Sequence, residues 1–307
     1  MPLDNFQKDI LRVIASNRDA SSPFAGGSVI QRHGFRPSDA QDAFTAGDPD
    51  PVMRKDVEAL KANGFDVSPG RAYDGFRECH VMKPMEGRAI LQWTQALALE
   101  YFAPVEDSDF GYRLHFADLA ANKALAAASR KRKRDFADLW LLDTHVMPLW
   151  RMACAASGKF PNESPLSLVD LMSFNMQLAM VQDDTPMILT RDVSEAAITG
   201  GLTKSMQEAR ETLGRLGAGF MDRLQVDGDG LPVTEPKVME TGQWISPVRG
   251  GAMPSFDGMD GEMIKSLVKA FHENEGTTAG FLPFLKSPNK NQEKDRGKPP
   301  LEGEQGA

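Results

Sequence analysis

Phe6, Ile10, Leu11 and Ile14 recur at the spacing of one helix face and predict an amphipathic helix over residues 4 to 17. Pro51 to Asn63 reads as a second helix, opened by the proline and closed at Asn63-Gly64. The period then changes. Phe76 to Met82 and Ala89 to Thr94 read as strands, joined by the turn-rich Lys83-Pro84-Met85-Glu86-Gly87. Interleaved helices and strands imply a mixed α/β unit. From Ala117 onward the chain reads as mostly helical. Ser164 to Val181 carries Leu166, Leu168, Val169, Leu171, Met172 and Leu178, the broad apolar face of a buried helix. Met172, Met176 and Met180 recur every fourth residue, which predicts core packing. Thr203 to Leu224 and Gly261 to Glu273 read as further helices. The expected organisation is an α/β domain over 1–145, a helical domain over 146–285, and a tail over 286–307 whose polar, Pro- and Gly-containing composition predicts disorder.

Composition narrows this picture. At 307 residues and 41% hydrophobic, the chain can build one large core or two ordinary ones. Cys79 and Cys154 fit neither a disulfide framework nor a metal-ligand spacing, so reduced thiols and a cytoplasmic setting are expected. No apolar run is long enough to span a membrane. The five histidines have no paired spacing and support no zinc site. Asp227-Gly228-Asp229-Gly230 lacks the later ligands of a calcium loop and reads as a turn. A formal net charge of −8 argues against general coating of nucleic acid. That sum conceals the run Arg130-Lys131-Arg132-Lys133-Arg134, suited to a triphosphate or an RNA backbone, although no aromatic and basic alternation accompanies it.

The chemistry concentrates in four segments. Phe24-Ala25-Gly26-Gly27-Ser28 ends an apolar run in two glycines and a serine, which lets backbone approach a ligand closely. Arg36-Pro37-Ser38-Asp39-Ala40-Gln41-Asp42 follows with acids. Asp118-Leu119-Ala120-Ala121-Asn122-Lys123 places one lysine in an alanine-rich helix, where its ammonium calls for an anion. Arg134-Asp135-Phe136-Ala137-Asp138-Leu139 closes the set. Asp138, among apolar neighbours, admits both a structural and a functional reading.

Gly-Gly-Ser, Arg-x-Ser before acids, Asp-Leu-Ala-x-x-Lys and Arg-Asp-x-x-Asp-Leu, in that order from about Phe24 to Leu142, resemble the AbiEii-type toxin family of nucleotidyltransferases, in the polymerase-beta-like superfamily. The resemblance implies a nucleotidyltransferase fold, a small mixed sheet flanked by helices and followed by a helical C-terminal domain. It implies transfer of a nucleotide from an NTP, with Mg²⁺ or Mn²⁺, to an RNA acceptor such as a tRNA 3′ end, in the cytoplasm of a bacterium, with a cognate antitoxin as partner. Gly26, Gly27, Ser28, Arg36, Ser38 and Arg134 would bind nucleotide, Asp42 with Asp39 the metal, and Lys123, Asp42 and Asp135 would be catalytic.

Two departures from the family pattern open an alternative. The family has two aspartates two residues apart. Here either Ala40 replaces the first and Asp42 keeps the second, or Asp39 is kept and Gln41 replaces the second. The family's next acid is expected near Ala96, and no carboxylate occurs until Glu100. The alternative is a catalytically degenerate member that keeps the fold to bind nucleotide, RNA or a protein partner.

Overall fold

The helical face of Phe6, Ile10, Leu11 and Ile14 forms α1 (Asn5–Ile14), with a 3₁₀ turn at Ala15–Asn17. Asp4 and Gln7 close a capping box, which satisfies two of the backbone donors that a helix start leaves open. After β1 (Phe24–Ala25), α2 (Gly26–Gln31) and β2 (Ala40–Thr45) comes α3 (Asp50–Ala62), the helix expected from Pro51. The hairpin strands are β3 (Asp66–Tyr73), β4 (Phe76–Lys83) and β5 (Gly87–Gln95), with the Lys83 to Gly87 turn where the sequence puts it. Short β6 (Leu99–Glu100), β7 (Val105–Asp107) and β8 (Gly111–Arg113) precede the helices. These are α4 (Phe116–Ser129), α5 (Lys133–His145), α6 (Leu149–Lys159), α7 (Pro165–Gln182) and α8 (Glu195–Arg215). Strands β9 (Leu224–Val226), β10 (Gln243–Ile245) and β11 (Val248–Arg249) lead to α9 (Gly261–Phe271). This computed structural model describes residues 3–271 apart from 35, 39, 97–98, 188, 190–192, 236, 238–240 and 256–258. The expected tail over 286–307 and Asp39 lie outside the described residues.

Seven strands form one mixed sheet in the order β3-β4-β5-β2-β1-β8-β7. β2 runs parallel to β5 and antiparallel to β1. β2 is poor in β-branched residues, yet it forms because both its edges are paired, a tertiary context that overrides propensity. One face of the sheet is closed by α1 and α3. Trp93 of β5 is buried there and donates to Asp56 of α3 at 2.8 Å, and Arg18 forms a buried ion pair with the same carboxylate. The other face, carrying Ala40, Asp42 and Phe44 on β2, stays partly open. α2 packs on β2 and against α4 and α5, while α4 also packs against α6 and α7.

α8 differs from the expected Thr203 to Leu224. It begins earlier, at Glu195, because Ser194 caps it by accepting from the Ala197 N–H at 3.1 Å. The Gly200-Gly201 pair hides the helical pattern, and Gly201 allows close packing on Trp140. Leu224 belongs to β9, paired antiparallel with β10. Met172 and Met176 are buried, as their spacing predicts. No described helix is long and apolar enough to cross a membrane.

Buried charges tie the chain together. Asp118 of α4, fully buried, accepts from the Tyr101 N–H at 2.9 Å and the Phe102 N–H at 3.0 Å and pairs with Lys159 of α6 at 2.7 Å. Arg113 of β8 is held by Asp107 at 2.7 Å and by Asp260 at 2.6 Å, which anchors the segment before α9. Glu100, in β6 where it pairs with β11, has its pKa pushed up to about 7 by burial and by the nearby Asp118 charge. The folded state therefore binds this proton more tightly than the unfolded chain. Its contribution to stability falls as pH rises from the ordinary glutamate range through about 7.

Two outcomes are expected in urea unfolding. Asp118→Ala strands a buried ammonium and two backbone N–H groups and lowers stability by about 3–5 kcal/mol, whereas exposed Asp170→Ala changes it by about 0.5 kcal/mol or less. Glu100→Gln flattens the fall of stability with pH and raises stability near pH 8 by about 1–3 kcal/mol.

Candidate active site

The strand alternation of β2 decides which side chains share a face. Ala40, Asp42 and Phe44 look into a cavity of 420 Å³ roofed by α2, α4 and α5. Gln41 points the other way, is fully buried, and donates to the Gln7 carbonyl at 3.3 Å. Of the two registers left open by the sequence, Asp42 is thus the acid on the cavity face, and the residue two before it on that face is Ala40. Across the β2–β5 ladder, Asp42 sits opposite Gln92. Ala96 follows β5 and lines a separate 270 Å³ cavity together with Glu100, so neither reaches the Asp42 cavity.

Gly26 and Gly27 are required by space. Gly26 takes φ +73°, and a Cβ there would lie 2.3 Å from Asp42 Oδ2. A Cβ on Gly27 would lie 3.0 Å from an Arg36 Nη2. Both glycines line the cavity. Ser28 does not. It is fully buried, and its hydroxyl donates to the Ala25 carbonyl at 3.4 Å. Ser38 lines the cavity and donates to the Ala40 carbonyl at 2.9 Å.

Asp138 organises the floor. Its carboxylate is fully buried and accepts from Arg36 Nε and Nη2, each at 2.7 Å, and from Gln31 Nε2 at 2.6 Å. Lys123 Nζ lies 2.7 Å from its Oδ2 and 3.3 Å from Asp135 Oδ1. Burial works to raise the Asp138 pKa, but the Arg36 and Lys123 charges overcome it and hold the carboxyl well below the usual range. For Lys123 burial opposes the charge, and Asp138 and Asp135 more than offset it, so its pKa is raised. Lys123 is therefore a fixed cation. Asp42 has its pKa raised by burial, which the charges of Lys123, Arg134 and Arg130 only partly counter.

Several groups are left for a ligand. Asp135 is 1% exposed, and its Oδ2 has no hydrogen-bond partner. Arg130 and Arg134 stand exposed on the cavity rim, and neither has an ion-pair partner among the described residues. A larger groove of 1080 Å³ lies elsewhere, but its Arg32 and Arg113 are held by Asp107 and Asp260.

Among the described residues no three His, Cys, Asp or Glu side chains cluster closely enough to hold a metal. Mg²⁺ is often held by only one or two carboxylates, with substrate phosphates and waters completing its shell. Asp42, which takes no hydrogen bond from the described residues, and the bare Oδ2 of Asp135 fit that smaller role.

Of the residues that the motifs single out, the structure brings Gly26, Gly27, Arg36, Ser38, Asp42, Lys123, Arg134 and Asp135 to one cavity. The sequence reading missed Gln31, Gln92, Phe44, Tyr73 and Phe76. Strand alternation could have put Phe44 beside Asp42. The others meet the site only through pairing of distant segments.

No protein-family model matches this chain, and no curated protein does. Solved structures similar to it include a proposed nucleotidyltransferase from H. pylori, 16% identical over 70% of this chain and 99% of that one, with a TM-score of 0.45. JHP933 from Helicobacter pylori is 15% identical over 68% of this chain and 92% of its own, with a TM-score of 0.42. MenT4, a nucleotidyltransferase toxin from Mycobacterium tuberculosis H37Rv, is 15% identical over 70% of this chain and 83% of its own, with a TM-score of 0.46. The solved structures that this chain is similar to therefore include nucleotidyltransferases, at identities too low to carry residue roles across.

Proposed function

We propose that the cavity binds a nucleoside triphosphate and that the chain transfers its nucleotide to an RNA acceptor, with a tRNA 3′ end as the first candidate. The observation that carries this reading is the convergence of Lys123, Arg130 and Arg134 with Asp42 and Asp135 beside two glycines that admit close backbone approach. Triphosphate oxygens need fixed positive charge, and transfer of a nucleotidyl group depends on positioning and charge stabilisation more than on covalent catalysis. The resemblance of the motifs to a toxin family adds growth arrest and a cognate antitoxin to the proposal.

In this reading Lys123 neutralises phosphate charge, held in place by Asp138 and Asp135. Arg134 and Arg130 close on the outer phosphates. A divalent cation carried in with the triphosphate would be met by Asp42 and Asp135 and would supply further charge neutralisation. The acceptor hydroxyl oxygen bonds to the α-phosphorus as the α–β bridging bond breaks; pyrophosphate leaves, and the hydroxyl proton passes to water. Arg36, tied to Asp138 through Nε and Nη2, positions Lys123 in this reading.

A second reading, nucleotide binding without transfer, is favoured by Ala40 and Gln92. They occupy the positions on the cavity face where further carboxylates would complete a metal site.

Label transfer from each α-labelled NTP to total bacterial RNA separates the two. Transfer is expected from the natural chain and is abolished in Lys123→Ala. Transfer that appears only after Ala40→Asp and Gln92→Asp are introduced would establish the binding reading instead. In direct titrations with a fluorescent NTP, Arg134→Ala is expected to weaken binding about tenfold or more, the loss of one charge-assisted contact, with unchanged unfolding behaviour. Metal-dependent NTP binding should fall with decreasing pH at a value above the ordinary aspartate range, as Asp42 takes up its proton. Asp42→Asn should remove that acid limb.

A further inference from the structure

The sheet order separates two ends of the cavity. Glycines 26 and 27 follow β1, Asp42 lies on β2, Gln92 and Thr94 on β5, Phe76 on β4 and Tyr73 on β3. At a spacing of about 4.8 Å per strand, ~19 Å separates β1 from β3. The cations Lys123, Arg130 and Arg134 come from α4, α5 and the turn between them, helices that pack on α2 at the β1–β2 end. At the other end the described residues that line the cavity are Phe44, Tyr73, Phe76, Gln92 and Thr94, aromatic or neutral polar.

Tyr73 and Phe76 face each other across the turn that joins β3 to β4, with ring centroids 4.5 Å apart and planes 12° from parallel. Phe76 is 8% exposed, but Tyr73 is 60% exposed, so the stack ends in a flat aromatic face open to solvent. Arg71 lies over Phe76, its guanidinium 5.7 Å from the ring centroid, and binds Glu78. Glu78, held at a pKa of about 2 chiefly by Arg71, can only accept, and it takes a hydrogen bond from Gln92 Nε2 at 2.7 Å. This orients the Gln92 amide, which lines the cavity.

In nucleotidyl transfer the attacking and leaving oxygens lie roughly in line through the phosphorus. With the leaving pyrophosphate at the cationic β1–β2 end and the reacting phosphorus near Asp42, the attacking hydroxyl must come from the β5–β4–β3 side. Resting on the proposed transferase reading, we propose that the Tyr73–Phe76 stack is the platform for an unpaired base at the 3′ end of a single-stranded RNA acceptor. An unstacked base needs a planar partner, and RNA-binding proteins commonly supply aromatic rings for single-stranded ends.

The test uses the full chain and two probes: a fluorescein-labelled single-stranded RNA dodecamer, alone or annealed to give a blunt duplex, and a fluorescent NTP. Tyr73→Ala is expected to weaken single-strand binding about tenfold or more, the loss of one base stack. Tyr73→Phe should restore it, and NTP affinity and thermal unfolding should not change. Equal single-strand affinity of natural chain and Tyr73→Ala, with NTP bound by both, overturns the platform while leaving the transferase reading intact. Loss of NTP binding in Tyr73→Ala assigns the stack to the nucleotide's own base and also overturns it. Equal affinity of the natural chain for duplex and single strand overturns the preference for an unpaired end. A natural chain that binds no NTP removes the reading on which the platform rests.

Discussion

The carboxylate of Asp138 is the interaction on which the site depends. It is fully buried, and each of its oxygens takes two donors, from Arg36 and Gln31 on one side and from Arg36 and Lys123 on the other. A buried carboxylate costs several kcal/mol unless it is paired this completely, and removing one member leaves the others stranded. The constraint therefore joins three segments: α2 and the loop after it, α4, and α5. Lys123 cannot rotate away from the cavity without breaking the pair, so its charge is fixed before any ligand arrives.

The cavity follows from that anchor and from the sheet. Holding α4 and α5 over the β1–β2 end leaves the β5, β4 and β3 portion of the same face uncovered. One face thus carries cations and glycines at one end and aromatic rings at the other, with Asp42 between them. Burial alone would not give this polarity. It results from where the helices stop.

In the proposed reading, the side chains around Asp42 limit what the site can do with a metal. Ala40 and Gln92 place a methyl and an amide around Asp42, and the remaining oxygens are those of Asp42 and Asp135. The protein side of a cation's shell would then be thin, and the phosphates of the proposed substrate would supply the rest. Charge neutralisation would fall mainly to Lys123, Arg130 and Arg134 in that reading.

Local pattern determined the elements and singled out most of the glycines, cations and acids that line the cavity's β1–β2 end. The helical faces of α1, α3 and α7, the β4–β5 hairpin, the buried methionines, and the separation of Gly26, Lys123 and Asp135 as chemically unusual residues were all legible, because each depends on neighbours in the sequence. The start of α8 was not, since Gly200 and Gly201 interrupt the helical signal, and the packing on Trp140 that accounts for Gly201 is a tertiary contact. Nor could sequence choose between the register that pairs Ala40 with Asp42 and the one that pairs Asp39 with Gln41, or exclude Ala96, because the side a strand residue faces is fixed only once its ladder is formed. The role of Asp138 and the meeting of Tyr73 and Phe76 with the Asp42 cavity were decided by tertiary structure alone. Both arise from long-range pairing, between α2, α4 and α5 in one case and across β3, β4, β5 and β2 in the other, and no local spacing encodes such contacts.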